Sequence, residues 1–258
     1  MSPLARAVWT VVVALFVLFL LSPLALVVLF SFTGRAMMNF PMEGLSLQWW
    51  RGMIDNPKFW PAFYNSLIVS GVAGAVSAVV GTAAALGFAR LPARRSNLAI
   101  AVLCLPLMLP PLVLAVSLLS FYVSVGFRLS LATVILSHLL FTQPFVVMVV
   151  YARMTTFDWR VVESARDLGA SPFTAFRTVT LPVIQPTVIG AALIAVALSI
   201  DDFIITFFTI GGGNTLPTFV WGMIRTALTP TVNAIGTLII LITIGSTLLG
   251  LWLTRYRG

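Results

Sequence analysis

The chain has 258 residues, of which 60% are hydrophobic and only 9% are charged. So little polar surface could not cover so large an apolar core in water, which excludes a soluble globular protein and indicates a polytopic membrane protein. The net charge of +8 does not indicate nucleic-acid binding, because the basic residues stand singly at the ends of apolar runs and form no basic stripe.

Six apolar segments are long enough to cross a bilayer. They lie at residues 8–30, 63–89, 98–125, 129–152, 183–208 and 232–253. The first segment is longer than a signal-peptide core and lacks a clear small-x-small cleavage pattern, so we expect it to be retained as a span. The sequence therefore predicts an all-α membrane protein in which six transmembrane helices form one domain over residues 1–258.

The distribution of Lys and Arg predicts the orientation of these spans. With the N-terminus in the cytoplasm, the inside segments hold ten of the 15 basic residues, namely Arg6, Arg90, Arg94, Arg95, Arg153, Arg160, Arg166, Arg177, Arg255 and Arg257. The outside segments hold the remaining five, Arg35, Arg51, Lys58, Arg128 and Arg225. This bias favours cytoplasmic termini and also a cytoplasmic position for the polar loop at residues 158–182.

Between the first two spans, residues 31–62 form a predicted outside segment with three tryptophans, Trp49, Trp50 and Trp60. Tryptophan is enriched at the headgroup layer of a membrane, and an aromatic belt explains these residues. Contact with an external protein is the alternative. The second span then places small residues four apart, which predicts close approach of another helix; they are Ser70, Gly74, Ala78 and Thr82.

The third and fourth spans carry helix-breaking and polar residues at membrane depth. Pro106, Pro110 and Pro111 each remove a backbone donor, which predicts a kinked third helix whose freed carbonyls find partners inside the protein. The fourth span contains His138, Gln143 and Pro144, which are candidates for lining a pathway. An interhelical hydrogen bond is the simpler role for His138.

Residues 158–182 form the one long polar stretch of the chain, DWRVVESARDLGASPFTAFRTVTLP. Apolar residues recur in it at helical spacing, which predicts a short amphipathic helix that ends near Gly169. We expect a positive φ at that glycine, because it follows the last periodic residue. A second short helix over residues 173–179 is predicted, and Leu181 and Pro182 then restart the apolar pattern.

The fifth span contains Asp201 and Asp202, the only acidic residues within an apolar segment. Acidic residues are costly at membrane depth, so a functional role is the default interpretation. Asp201 lies about 28 Å from Pro182 along a helix, which places the pair near the outer edge of the hydrocarbon core. The pair predicts a pathway for a cation, with cation–π contacts from Phe203, Phe207 or Phe208.

A structural role for the aspartates is the alternative to substrate contact. One carboxylate could pair with Arg128 or Arg225, or could cap a break in the helix. Adjacent helical residues diverge by about 100°, so both aspartates are not expected to face the pathway equally. After the glycines at 211–213, Phe219, Val220, Met223 and Ile224 predict one more short helix.

The sequence offers no catalytic machinery of its own. The sole lysine, Lys58, follows a proline in an outside segment, so a Walker-type phosphate loop cannot form. With one histidine and one cysteine, Cys104, a His-pair or thiolate metal site is not expected. Any ATP and magnesium would therefore be bound by a partner, and the chain is expected to be neither an enzyme nor a metalloprotein.

The polar loop resembles the Glu-Ala-Ala loop of permease subunits of binding-protein-dependent ABC importers. In that loop a glycine follows the second alanine by four residues, and an aliphatic residue shortly precedes Leu-Pro. The matching positions here are Glu163, Ser164, Ala165, Gly169, Val179, Leu181 and Pro182, with Ser164 in place of alanine and Val179 in place of isoleucine. The resemblance implies that this loop, which also contains Asp167, is the coupling helix that sits in a groove of a cytoplasmic ATPase.

The resemblance extends over most of the chain to the second permease of spermidine/putrescine importers. Its most specific part is SIDDFIITFF, followed by Thr215-Leu216-Pro217 and Thr229-Pro230. It implies the type I ABC importer permease fold in a bacterial inner membrane. The implied partners are a homologous second permease, two copies of a cytoplasmic ATPase and an extracytoplasmic solute-binding protein, and the implied mechanism is alternating access.

Other functions stay open at this point. Relatives of this group also move opines and other small organic solutes, so an opine or amino-acid derivative is an alternative cargo. A secondary transporter would also carry polar residues at membrane depth, although no internal repeat is visible. An intramembrane hydrolase would need a nucleophile with a base in reach, and a structural scaffold would leave the two aspartates unexplained. For the loop, an interfacial anchor would explain the amphipathic helix but not the glycine and Leu-Pro spacing.

Overall fold

A computed structural model describes residues 2–226 and 229–255, which are mainly α-helical. The first seven helices are α1 Pro3–Phe30, α2 Gln48–Ile54, α3 Phe59–Phe88, α4 Ala93–Leu103, α5 Leu105–Met108, α6 Pro111–Ser124 and α7 Leu131–Thr155. The remaining helices are α8 Arg160–Asp167, α9 Pro172–Ala175, α10 Leu181–Ile200, α11 Ile204–Thr209, α12 Leu216–Thr226 and α13 Thr231–Arg255, with a π-helical turn at Phe176–Thr180 before α10. Within the described residues, the only β-type pairing is one isolated bridge between Thr33 and Leu45.

All six predicted apolar segments are mainly helical, and the third and fifth are interrupted. Four uninterrupted helices are long and apolar enough to cross a membrane, namely Leu4–Phe30, Phe59–Phe88, Leu131–Thr155 and Pro172–Ile200. Two shorter apolar helices, Pro111–Ser124 and Thr231–Ser246, account for the third and sixth segments. The short helix predicted after the glycines is confirmed as α12. Arg257, predicted to be a cytoplasmic anchor, lies outside the described residues.

The predicted third span is divided into α4, α5 and α6, so the expectation of one kinked helix over residues 98–125 was wrong. Leu109 and Pro110 are extended, with ψ of 140° and 134°. Each of them precedes a proline, and the ring of the following proline disfavours helical backbone at that position. Pro111 then begins α6 at the first helical position, where its missing N–H costs least.

The described chain divides into two compact units. The first contains the chain up to Trp60 together with Phe219–Ile242, and the second contains Pro61–Thr218 together with the chain from Thr243. In the first unit, the apolar stretch of α1 is not buried among the residues that the structure describes. The segment after α1 is held by Trp49, whose Nε1 donates to the Thr33 carbonyl at 2.7 Å, and by Phe32, whose ring stacks on Trp50 at 5.7 Å.

The core of the second unit lies where α7 and α10 pack together, with one face of α3 against them. α7 contributes Val146, Val147, Val150 and Met154, α10 contributes Ile184, Ala191 and Ala195, and α3 contributes Ala85. In a lipid environment, apolar burial does not drive helix association, so packing and interhelical hydrogen bonds must hold these helices together. Close backbone approach is therefore important in this unit.

The predicted small-residue stripe of α3 does allow such an approach at Gly74. A Cβ atom added there would fall inside contact distance of Val196 Cγ2 on α10. Further along α3, a Cβ at Gly81 would lie 2.8 Å from Val146 Cγ1 on α7. Glycine at these two positions lets α3 lie against both core helices.

We expect Gly74→Ala to destabilise the protein by about 1–3 kcal/mol, because the new methyl group overpacks the α3–α10 contact. The measurement is the thermal midpoint of the detergent-purified protein. Gly71→Ala is the matched control, since Gly71 is in the same helix and a Cβ there meets no atom within 4 Å. Adding Val196→Ala should restore part of the loss. A midpoint for Gly74→Ala that equals that of Gly71→Ala would contradict the packing argument.

Candidate functional site

The polar loop folds as two short helices with a tight turn between them. α8 covers Arg160–Asp167, and the Arg160 N–H is bonded to Asp158 Oδ1 at 3.1 Å. Val162 is buried, whereas Glu163 and Ser164 are exposed. The side of α8 that carries Glu163 is therefore open to a partner, as the sequence predicted for an amphipathic helix.

Gly169 ends α8 with φ of +90°, which confirms the predicted positive φ. The Ala170 N–H is bonded to the Ala165 carbonyl at 3.0 Å, and the Gly169 N–H to the Arg166 carbonyl at 2.9 Å. These two bonds form a Schellman motif, in which a left-handed residue lets the chain reverse while the last carbonyls stay satisfied. A Cβ atom at Gly169 would meet no atom within 4 Å, so the positive φ of the backbone, and not the available space, favours glycine here.

The turn leads directly into the fifth predicted span. Ser171 caps α9 by accepting a hydrogen bond from the Thr174 N–H at 3.1 Å, and the chain continues through the π-helical turn into α10. Leu181 and Pro182 begin α10, as predicted. The two most exposed large apolar side chains of the loop are Leu168, which is 90% exposed, and Phe173, which is 71% exposed. Together with Glu163 and Asp167 they form the exposed loop surface.

The second candidate site lies where the helix of the fifth span is interrupted. α10 ends at Ile200 and α11 begins at Ile204, so Asp201 and Asp202 lie in a break between two helices. Each helix end leaves backbone groups without partners inside the helix. The Asp202 carboxylate satisfies one of them, because its Oδ2 accepts from the Thr206 N–H at 2.8 Å. Asp202 therefore caps α11, which is one of the structural roles the sequence left open.

His138 of α7 also contacts Asp202. Its Nε2 lies 3.2 Å from Asp202 Oδ2 and 2.9 Å from Thr206 Oγ1, while Thr206 Oγ1 lies 3.1 Å from the same carboxylate oxygen. The opposite ring nitrogen, Nδ1, lies 2.7 Å from Ser199 Oγ in the last turn of α10. His138 is fully buried. Its predicted interhelical hydrogen bond is confirmed, and the side chain that contacts Asp202 is this histidine rather than an arginine.

The network continues from His138 into α3. Thr142 Oγ1 donates to the His138 carbonyl at 2.9 Å and lies 2.8 Å from Ser77 Oγ. Ser77 and Thr142 are both buried. A chain of short polar contacts therefore links α3, α7, α10 and α11 through the interior of the second unit. Buried polar groups that are satisfied in this way favour one arrangement of the helices.

A cavity of about 650 Å³ opens beside the helix break. Asp201 and Asp202 both line it, and its other walls are mainly apolar, from the broken third segment, α7 and α10. Phe141 and Phe145 are its aromatic lining residues. Phe203, Phe207 and Phe208, which the sequence suggested for cation–π contacts, are not among the lining residues; Phe208 packs instead against the cluster of Leu114, Ala115 and Ile205.

A family model described as "Binding-protein-dependent transport system inner membrane component" matches residues 77–257. This range covers more than half of the chain and includes both the exposed loop surface and the helix break. The chain belongs to this family. It is accordingly a multi-pass inner-membrane component of a transport system and not an enzyme.

Two curated relatives of this transport component are permeases. The chain is 30% identical over 238 residues to the spermidine/putrescine transport system permease protein PotC of Haemophilus influenzae, with 92% of each chain covered. It is 31% identical over 247 residues to the putrescine transport system permease protein PotI of Escherichia coli K12, with 92% of this chain and 88% of the relative covered. The resemblance stated from the loop and from the paired aspartates is confirmed.

Solved structures of ABC transporters share the fold of this inner-membrane component. A bacterial alginate ABC transporter in complex with an alginate-bound periplasmic protein matches with a TM-score of 0.75 at 16% identity, over 98% of this chain and 94% of that chain. The MetNI methionine ABC transporter matches with a TM-score of 0.64 at 19% identity, over 79% and 99%. The predicted type I importer permease fold is confirmed.

Sequence reasoning missed Phe141 and Phe145 of this permease as cavity residues. A signal was present, because His138, Phe141 and Phe145 recur at helical spacing on one face of α7. The cavity itself could not be predicted, since its walls come from separate segments of the chain. Among the described residues, no group of three His, Cys, Asp or Glu side chains could hold a metal ion.

Proposed function

We propose that this permease moves a small cationic solute, a polyamine such as putrescine or spermidine, as one subunit of an ABC importer. The observation that carries the proposal is the cavity beside the helix break, which pairs mainly apolar walls with the carboxylates of Asp201 and Asp202. A polyamine has the complementary pattern, because ammonium groups are separated by methylene chains. The permeases PotC and PotI, whose names include spermidine or putrescine, add support from sequence.

The charge of the cavity bears on the alternative cargoes. The fold alone does not give the cargo, since one structural neighbour is an alginate transporter and another is a methionine transporter. An acidic polysaccharide would be repelled by two adjacent carboxylates. An opine or an amino-acid derivative would bring its own carboxylate into the same cavity, so a purely cationic solute fits this lining better.

The partners follow from the subunit's place in the importer. We propose that it pairs with a homologous second permease, docks on a dimer of cytoplasmic ABC ATPases that bind ATP and magnesium, and receives solute from an extracytoplasmic binding protein. The exposed loop surface supports the ATPase contact, because Leu168 and Phe173 leave apolar area uncovered beside Glu163 and Asp167. Closure of the ATPase dimer would move this surface and open the pathway to the outside by alternating access.

The proposed cargo predicts ATP-dependent uptake of labelled putrescine or spermidine when the permease is produced with its partner subunits in a strain without polyamine uptake of its own. The purified permease should carry an ATP-hydrolysing subunit with it. A complex whose ATPase subunit has an inactivated nucleotide site is the control. Uptake by the solitary chain, or uptake of neutral or anionic solutes in place of polyamines, would contradict the proposed function.

For the loop, we expect Glu163→Ala and Gly169→Arg to abolish uptake while the complex still assembles in the membrane. Both positions are exposed, so neither change should unfold the protein, although an L-residue at the φ of Gly169 costs about 1 kcal/mol. Gly126→Arg is a matched control, because Gly126 also has a positive φ, +73°, and open space around it. Normal uptake by Glu163→Ala and Gly169→Arg would remove the coupling role.

The proposed orientation places both termini and the loop in the cytoplasm. In a Cys104→Ala background, Ser171→Cys should react with a membrane-impermeant thiol reagent only from the cytoplasmic side, and Gly212→Cys only from outside. Gly212 is preferred to its neighbour Gly211, where a Cβ would lie 2.7 Å from the Leu129 carbonyl oxygen. Labelling of Ser171→Cys in intact cells would overturn the orientation and the ATPase contact with it.

A further inference from the structure

The two adjacent aspartates of the helix break have different surroundings. Asp202 Oδ2 is within hydrogen-bond distance of three donors, the Thr206 N–H, the Thr206 hydroxyl and His138 Nε2. Asp201 lines the same cavity and is exposed, and among the described residues its side chain has no hydrogen bond or ion pair. Three donors therefore surround one oxygen of Asp202 and hold its carboxylate in place, whereas both oxygens of the Asp201 carboxylate are open to a ligand.

The protonation pattern of His138 follows from its partners. An ionised carboxylate can only accept, so Nε2 carries the proton that faces Asp202 and Thr206. In the neutral ring Nδ1 then accepts from the hydroxyl of Ser199. The ring thus joins Ser199 in the last turn of α10 to Thr206 in α11, and these two residues flank the break. One side chain of α7 fixes both sides of the break that contains Asp201.

Fixing the break also fixes the position of Asp201 in the cavity. Asp201 directly follows α10 and lies two residues after Ser199. Its neighbour Asp202 is tied to α11 through Thr206. The backbone between Ser199 and Asp202 is therefore anchored on both sides. This holds the Asp201 carboxylate against the mainly apolar walls of the cavity, which include Phe141, Phe145 and Leu198. A group held this way is preorganised for a ligand.

We propose that Asp201 is the single ammonium ligand that this chain supplies, and that His138, acting through Asp202, Ser199 and Thr206, is the positioning residue that sets where this carboxylate lies. The inference rests on the proposed cationic cargo. In this arrangement the methylene chain of the cargo packs against the apolar walls of the cavity. The arrangement also leaves the second ammonium group of a diamine to residues outside this chain, because Asp202, the other carboxylate within an apolar segment, is engaged by His138 and Thr206.

The ligand role is tested by uptake of labelled putrescine and spermidine into proteoliposomes that contain the complete importer and its binding protein. We expect Asp201→Asn to lower uptake of both amines by about tenfold or more, the loss expected when a hydrogen bond between charged groups is removed. The thermal midpoint of the complex should not change, because Asp201 has no partner within the described protein. Asp55→Asn, which removes the same charge at an exposed site in the outer segment, should transport normally.

The positioning role needs a readout that simple destabilisation would not change, and this readout is the ratio of putrescine uptake to spermidine uptake. His138→Leu removes the donor to Asp202 and should change the ratio, because the carboxylate shifts relative to the apolar walls. His138→Gln keeps an N–H donor and should keep the wild-type ratio. If His138→Leu fails to assemble, Ser199→Ala removes one contact of the ring, and we expect it to change the ratio in the same direction.

The outcomes separate this inference from the proposed function. If the wild-type importer takes up neither amine, the polyamine assignment is wrong and the inference falls with it. If the wild type transports both amines and Asp201→Asn does so equally well, the assignment stands and the ligand role is overturned. Loss of uptake in Asp202→Asn with an unchanged thermal midpoint would identify Asp202 as the ligand instead. An unchanged ratio in both His138→Leu and Ser199→Ala would overturn the positioning role.

Discussion

The contact between the imidazole of His138 and the carboxylate of Asp202 is the interaction on which the site at the helix break depends. A helix break at membrane depth leaves backbone groups that lipid cannot satisfy, so such a break is tolerated only where the protein supplies the partners. Here Asp202 caps α11, and His138 holds Asp202 and Ser199 together from α7. Without these contacts, nothing in the site would hold the chain between α10 and α11 in one conformation. The Asp201 carboxylate would then have no fixed position in the cavity.

The exposed loop surface follows the opposite principle, because its geometry is determined almost entirely by neighbours in sequence. The hydrogen bonds of the Schellman motif at Gly169 and of the cap at Ser171 each join residues at most five positions apart. Apolar Leu168 and Phe173 stay exposed on either side of this turn. A surface whose shape is fixed by local hydrogen bonds can act as a rigid docking surface for a partner. One continuous helical stretch, Pro172–Ile200, connects it to the helix break.

This difference explains which parts could be predicted from the sequence. The loop, its positive φ and the start of α10 at Leu181 were predicted because capping and proline rules act over a few residues. The division of the third segment was only half predicted, since three prolines signal irregularity but not where each helix resumes. The pairing of His138 with Asp202 and the cavity walls at Phe141 and Phe145 were not predicted, because residues 61 to 68 positions apart meet there only after folding.

In the proposed complex, an ammonium group of the cargo binds the carboxylate of Asp201, while Asp202 stays engaged by His138 and Thr206. The most direct measurement is a structure of the complete importer with putrescine, trapped with an ATPase that binds but does not hydrolyse ATP. We expect density for one end of the amine within about 3 Å of an Asp201 carboxylate oxygen, the usual distance for a charge-assisted hydrogen bond. An amine bound to Asp202 with His138 displaced, or bound along a route that does not reach this cavity, would contradict it.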